Sequence, residues 1–272
     1  MAGYLRLRQI CLVAAQLEPR LDELAEILGL ALCYRDGNVA RYGLVNGLLP
    51  IDRCFLEVVA PTRPGTAAGR YLERRGGDGG YMVILDCDDI ERRRRHMDEI
   101  GVRIANPIRH DAYTGLQLHP RDTGGAMLEF NHTAGGESLD GPYAPAGPRW
   151  QSAIRTGVTT ALLAAELQSP DPEALARRWS GILERPLGKD AAGAPEIALD
   201  LGRLRFIPAS DGRAEGLGGL DIAVANRAPI LAAAQRRGVA VNGDRITLCG
   251  TRFRLASAPV RSGANHISPL PP

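Results

Sequence analysis

Residues 116 to 132, LQLHPRDTGGAMLEFNH, contain two alternating apolar runs around a chain-reversing centre. Leu116 to His119 and Ala126 to Phe130 have the period-two pattern of strands, and Pro120 to Gly125 between them holds the Pro and glycines of a turn, so the spacing predicts a β-hairpin. Side chains alternate across a strand, which places Met127 and Glu129 on one face and Leu128 and Phe130 on the other. An acid on a strand among apolar neighbours admits two readings. It is either a solvated surface carboxylate or a buried one that is paired, hydrogen-bonded or bound to a cation.

The chain around this hairpin has 272 residues, enough for one large domain or two ordinary ones. Its 33 basic and 31 acidic residues leave a net charge of +2, which gives no bulk attraction to nucleic acid or anionic membrane. Aromatic residues make up 5%, too few to suggest a stacking platform for single strands. Cys11, Cys33, Cys54, Cys87 and Cys249 are scattered singly, with no CxxC pair. With no apolar leader and no run long enough to span a bilayer, the expectation is a soluble protein of the reducing cytoplasm, without membrane or nucleic-acid partners. Residues 261 to 272, rich in Pro, are expected to form a disordered tail.

From the N-terminus, Leu5 to Leu17 reads as a buried strand. Leu21, Leu24, Ala25 and Leu28 then recur at helical spacing behind Pro19, a residue tolerated in a first turn. Extended segments are expected at Cys33 to Tyr34, Ala40 to Val45 and Arg53 to Val59, making a βαβββ unit. A second unit starts with the strand Tyr81 to Cys87, continues through a helix capped at Asp88-Asp89 and bearing Ile90, Met97 and Ile100, and closes with Val102 to Ile104 and the hairpin. Arg92 to Arg95 read as that helix's solvated face.

Residues 134 to 150 are Gly- and Pro-rich and read as a linker. Beyond it the pattern returns. Leu162-Leu163-Ala164-Ala165-Glu166-Leu167 answers Leu12-Val13-Ala14-Ala15-Gln16-Leu17, a Pro-led helix carries Leu175, Trp179 and Leu183, and Arg203 to Pro208 answers Cys54 to Ala60. Leu220 to Ala225, a helix after Pro229, Gly238 to Val241 and Thr251 to Leu255 answer the second unit. The fold class expected is α+β, with four βαβββ units making two tandem domains, 1–133 and 151–260.

Repeated βαβββ units together with HPRDTGGAMLEF at 119 to 130 resemble the vicinal oxygen chelate superfamily, which includes glyoxalase I, methylmalonyl-CoA epimerase, extradiol dioxygenases and bleomycin-resistance proteins. The resemblance implies glyoxalase-like domains in which two units curl their sheets into a cup, and four inward strand positions hold a divalent metal. Those positions fall on Gln9, Glu57, Met82 and Glu129. Three match the Gln, Glu and Glu of eukaryotic-type glyoxalase I, whereas Met82 stands where His is expected. The resemblance thus implies a divalent ion (Zn, Ni, Mg, Co or Mn) on Gln9, Glu57 and Glu129. A thioether is a poor donor for such ions among oxygen ligands.

The implied chemistry is that of a lyase or isomerase, in which Glu129 moves a proton next to a carbonyl or thioester of a small substrate. The alternative is a metal-free protein that binds or sequesters a small molecule. Without a metal, Glu57 and Glu129 sharing one hollow would repel, and one would hold a proton more tightly. Strand parity adds Phe55, Met82, Asp86 and Met127 to the expected substrate pocket, and His119 at the hairpin turn either contacts substrate or braces the turn. His110 and Tyr113 carry the same two readings, and His96 sits on a helix away from the site.

Thr159, Arg205, Gly219 to Asp221 and Arg254 are expected at the corresponding places of the second half. Two arginines there will not hold a cation, so that half reads as a structural partner, or less directly as an anion pocket. The partner expected is a small molecule, and the chain is expected to be a monomer or homodimer.

Overall fold

The computed structural model describes residues 3–257, so the expected tail lies outside the described residues. The first half builds a seven-stranded sheet. In chain order its elements are β1 (Leu5–Val13), α1 (Leu17–Leu28), β2 (Leu44–Ile51), β3 (Cys54–Pro61), α2 (Ala67–Arg75), β4 (Gly79–Cys87), α3 (Ile90–Glu99), β5 (Ile104–His110), β6 (Tyr113–Leu118), α4 (Pro120–Thr123) and β7 (Met127–Thr133). The strand order is β2-β3-β1-β4-β7-β6-β5. The second half contributes β8 (Thr159–Ser169), α5 (Pro172–Leu183), β9 (Gly188–Lys189), β10 (Pro195–Ala198), β11 (Arg203–Pro208), β12 (Gly216–Val224), α6 (Arg227–Arg236), β13 (Val241–Asn242), β14 (Arg245–Leu248) and β15 (Thr251–Ser257). These eight strands run β13-β14-β15-β12-β8-β11-β10-β9, and the whole is a tandem α+β architecture.

Pairing registers show the duplication residue by residue. In the first sheet β1 runs parallel to β3 and antiparallel to β4, with Cys11 opposite both Glu57 and Met82 and Gln9 opposite Ile84. In the second, β8 runs parallel to β11 and antiparallel to β12, with Glu166 opposite both Arg205 and Gly219 and Ala164 opposite Asp221. Both central pairs carry register shifts at matching places, Leu7/Gln9 and Cys11/Leu12 against Asp221/Ile222 and Leu217/Gly219. The counterpart of Gln9 is therefore Ala164. Thr159, expected there from the sequence, is the first residue of β8, because matching the apolar run 12–17 to 162–167 sets the strands out of step; by pairing, Glu166 answers Cys11 and Leu167 answers Leu12.

The first unit departs from the expected pattern. Of the residues expected as a strand at Ala40 to Val45, Leu44 and Val45 open β2, whereas Ala40 to Tyr42 belong to a 3-10 helix, Gly37–Tyr42, started by Asp36 accepting from Asn38 N at 2.9 Å and ended by Gly43 at φ 71°. Cys33 to Tyr34 contributes a single bridge, Tyr34 to Leu48. The strand itself is β2, whose Gly47 and Pro50 look like breakers. A Cβ at Gly47 would meet Leu21 and Leu32 side chains at 2.5 and 2.9 Å, and Pro50 is tolerated because β2 is the sheet edge. Helix α2 was not expected at all; Thr66 caps it by accepting from Gly69 N at 2.9 Å.

The hairpin is present, with Gln117 opposite Glu129 and Leu116 opposite Phe130. Its connection makes one helical turn, α4, in place of a tight reversal. That turn is held from the second half: Trp179 Nε1 donates to Thr123 O at 3.1 Å. Leu128 and Phe130 point into a single apolar core that runs through both halves and includes Leu21, Leu24, Trp179, Leu183 and Phe253. The sheets also touch directly. A Cβ on Gly80 of β4 would lie 2.4 Å from Leu217 O of β12, so only glycine permits this approach.

Residues 134 to 150, expected as a linker, pack against the first sheet. Tyr143 stacks on Phe55 with centroids 4.8 Å apart, and Trp150 meets the same ring edge-on at 5.1 Å. Beneath them Arg8 is buried, its guanidinium 5.1 to 5.6 Å from the three ring centroids and donating to Leu139 O at 2.9 Å. A cation over aromatic faces is attracted by the ring quadrupoles, which fastens the segment to β1.

Candidate functional site

The face of the first sheet turned away from the core carries Gln9, Cys11, Glu57, Met82, Ile84 and Glu129, and all six line one cavity of about 160 Å³. Gln9 and Met82 both lie two residues before the strand position that opposes a glutamate, since Cys11 faces Glu57 and Ile84 faces Glu129. The two units therefore present the same pair of positions to the hollow from opposite sides. The segment 36–42, with Asp36, Asn38, Arg41 and Tyr42, borders the cavity, as do His110, Tyr113 and Gln117. A volume of this size resembles a cavity that accepts benzene, so it suits a ligand of a few heavy atoms.

Both glutamates are buried, Glu57 at 7% and Glu129 at 3% exposure. Neutral groups hold them. Glu57 accepts from Gln9 Nε2 at 2.8 Å and Asn46 Nδ2 at 2.7 Å; Glu129 accepts from Gln117 Nε2 at 2.9 Å and from the Tyr113 hydroxyl. The network continues outward. Tyr143 OH donates to Gln9 Oε1 at 2.9 Å and accepts from Asn131 Nδ2 at 3.1 Å, while Asn106 Nδ2 donates to Gln117 Oε1 at 2.8 Å. Among the described residues no Lys, Arg or His pairs with either carboxylate to offset the loss of water. Burial pushes Glu129 up to about 7, against the lowering effect of Tyr113 and Gln117, with the charge of Glu57 adding to the rise. Burial raises Glu57 as well, opposed by Asn46, Cys11 and Gln9. Tyr113 lies well above its ordinary value, through burial first and the Glu129 charge second.

The other expected pocket residues lie elsewhere. Phe55 shares the inward face with Glu57, but Tyr143 and Trp150 fill that end of the cup. Asp86 lies at the far end of β4, 3.6 Å from Arg6, where burial lifts it to about 6 against the pull of Arg8 and Arg6. His119 caps α4, its Nδ1 accepting from Arg121 N at 3.2 Å. Met127 borders a second cavity on the other side of Tyr81. Of the residues read as ambiguous, His110 and Tyr113 do border the first cavity, while His96 Nε2 contacts Gly181 O at 2.8 Å and lies apart. Sequence reasoning missed Asn46 and Tyr143. Asn46 had a signal, a polar residue at the parity of Leu48 in an apolar strand; Tyr143 in a Gly/Pro stretch had none.

In the second half, the positions matching Glu57 and Glu129 are Arg205 and Arg254, and Asp221 replaces Ile84 between them. Arg205 Nη1 donates to both Asp221 oxygens at 3.0 and 2.8 Å, and Arg254 Nε donates at 2.8 Å. Their charges are thus engaged within the protein, which removes the case for an anion pocket on these two arginines.

The class defined by this fold and cup is the glyoxalase-like one: residues 10–183 match the family described as Glyoxalase-like domain, and the chain belongs to that family. Among curated proteins no match is found. Among solved structures, a hypothetical protein from Staphylococcus aureus aligns over 93% of this chain and 99% of its own, at 14% identity and a TM-score of 0.66. A methylmalonyl-CoA epimerase variant from Streptomyces coelicolor aligns over 48% of this chain and 99% of its own, at 21% identity and a TM-score of 0.44. The Mycobacterium tuberculosis methylmalonyl-CoA epimerase aligns over 47% of this chain and 87% of its own, at 22% and 0.43.

Members of this superfamily often bind divalent metals. The residues here do not fit one. Gln9 turns its N–H₂ toward Glu57 and its oxygen toward Tyr143, the opposite of what chelation beside Glu57 needs. Every carboxylate oxygen of Glu57 and Glu129 already accepts from a neutral donor, and Met82 offers a thioether. Among the described residues no three His, Cys, Asp or Glu side chains are placed to share an ion.

Burial of an uncompensated acid makes stability depend on pH. Because the folded value for Glu129, about 7, exceeds its ordinary 4.5, the native state binds more protons between those limits, and stability falls as pH rises through them, levelling above. The loss is on the order of 3 kcal/mol at ~1.4 kcal/mol per pH unit. Asp86 adds a similar decline at lower pH, ending near 6. Urea midpoints at pH 5 and pH 8 are expected to show the drop, and Glu129→Gln is expected to shrink it, most clearly above pH 6. Equal slopes in the two proteins would show that Glu129 ionises normally.

Proposed function

We propose that the cavity catalyses metal-independent proton transfer next to the carbonyl or thioester of a small substrate, an isomerase- or lyase-type activity. The observation that carries this reading is the placement of two buried carboxylates, Glu57 and Glu129, on opposite strand pairs of one small, otherwise largely apolar cavity. A base poised near neutral pH both accepts and returns protons efficiently. Glu129 takes the proton on carbon, the C–H electron pair passes into the carbonyl as an enolate, and the protein returns a proton to that carbon or to a neighbouring atom. Tyr113 and Gln117 fix the Glu129 oxygens, and Gln9 and Asn46 fix those of Glu57 across the cavity. Val59, Ile84 and Ile108 line the same hollow and exclude water. Cysteines that are all free, four of them buried, suit a reducing cytoplasm. No described helix is long and apolar enough to cross a membrane.

Capture of a small apolar molecule without turnover is the second reading, favoured by Met82 in place of a ligand and by carboxylates already satisfied by three amides and the Tyr113 hydroxyl. Deuterium exchange separates the two. Short ketones, hydroxyketones and acyl thioesters incubated with the protein in D₂O are expected to lose the proton signal next to the carbonyl for at least one class, with or without chelator. A thermal shift on binding with no exchange would leave the capture reading, and exchange abolished by chelator would restore a metal.

A further inference from the structure

A second cavity of about 560 Å³ lies between α2, the hairpin turn and the loop 214–215 of the second half, sharing Ala67 and Tyr81 with the first as a common wall. Three arginines of α2 line it, Arg70, Arg74 and Arg75. Arg70 and Arg74 are one helical turn apart and share a face, and both are exposed. Arg75 is 8% exposed, with Nη2 donating to Leu217 O at 3.1 Å, a longer 3.4 Å contact from Nη1 to Ala214 O, and a buried Nε that has no partner. Among the described residues no carboxylate lies within 4.0 Å of any of the three guanidinium groups. The acid on this lining, Glu215, is occupied: Oε1 accepts from Gly125 N at 2.9 Å and Oε2 from Ser169 Oγ at 2.5 Å.

A buried guanidinium without a counter-ion is costly, and it sits beside two exposed ones, Arg74 and Arg70, the latter donating from Nη1 to Gly65 O at 2.6 Å and keeping its other N–H groups. We propose that this second cavity is an oxyanion site, taking the phosphate or carboxylate group of a small molecule on Arg70, Arg74 and Arg75. Guanidinium forks match the paired oxygens of either group. The chamber is larger than one phosphate and leaves room for the group that carries it. This site stands apart from proton transfer in the first cavity, and its test needs no turnover.

Isothermal titration at constant ionic strength with inorganic pyrophosphate and with malonate tests it, on the full-length protein and on a variant carrying both Arg70→Gln and Arg74→Gln. These side chains are exposed, and an unchanged melting temperature without ligand confirms that the variant folds. Saturable binding of either probe, weakened at least tenfold in the double variant, is expected. Pyrophosphate alone would mark a phosphate site, malonate alone a carboxylate site, and both an oxyanion site of either kind. Absence of saturable binding, or equal binding by the double variant, would overturn the proposal, whatever the first cavity is found to do.

Discussion

Glu129→Gln is expected to slow exchange of the proton next to the carbonyl by about 10² to 10⁴-fold, the usual contribution of a positioned acid or base. Gln is close to isosteric with Glu and the Tyr113 hydroxyl still finds an oxygen to donate to, while the new N–H₂ meets the Gln117 Nε2 donor, so the Gln117 amide has to turn. A thermal-shift titration with the substrate is expected to show binding within a few fold of the parent, which separates lost chemistry from lost fold. Tyr113→Phe acts through Glu129 and is a positioning change. Removing a donor that stabilises the carboxylate raises Glu129 further, so the acid limb of the rate profile is expected to move to higher pH. Exchange in Glu129→Gln within tenfold of the parent, measured by proton NMR in D₂O, would remove Glu129 from the chemistry.

Repetition made the fold readable. A strand followed by a Pro-containing helix in each half announced the duplication, although the runs matched, 12–17 and 162–167, are not equivalent by pairing, where Leu167 answers Leu12; the hairpin at 116–132 fixed which face of β7 looks inward. Period-two patterning carries that information because one side of each strand must join the core. The misread stretch, 33 to 51, failed for a local reason. Gly47 and Pro50 are turn formers by propensity, yet one is required by packing on α1 and the other is harmless on an edge strand. The helix α2 was missed because its short, Arg-rich sequence has little apolar periodicity, though Ala68, Leu72 and Arg75 bury one side.

The site was legible along strands and hidden across loops. The resemblance placed Gln9, Glu57, Met82 and Glu129 on one hollow and parity agreed with the facing of each, and they do line one cavity. Parity could not say where that hollow ends. Phe55 and Asp86 have the inward phase but lie beyond its limits, the first because Tyr143 and Trp150 arrive from residues that looked like linker, the second because an arginine claims it. Which groups satisfy the two carboxylates is likewise set by chain crossings, and it is these neutral donors that decide against a cation.

Removing the carboxylate of Asp221 is expected to cost about 3 kcal/mol, at the lower end of the range for breaking a buried ion pair. Asp221 is 1% exposed and accepts from two arginines at once. Without it, Arg205 and Arg254 face each other across the place where the first half holds apolar Ile84. Two features keep the cost from the top of the range. Arg205 retains Asp190 at 3.2 Å and Glu166 at 3.4 Å, and the Arg254 side chain is 37% exposed and can swing to water. Urea unfolding of Asp221→Ala at neutral pH reports the loss as a lower midpoint at an unchanged slope. Replacing all three groups together, Asp221→Leu with Arg205→Leu and Arg254→Met, is expected to recover only part of that loss, since Arg205→Leu also takes a partner from Asp190 and Glu166. A loss below about 1 kcal/mol for Asp221→Ala would mean that the arginines are already hydrated in solution and that the second half is held together by its core alone.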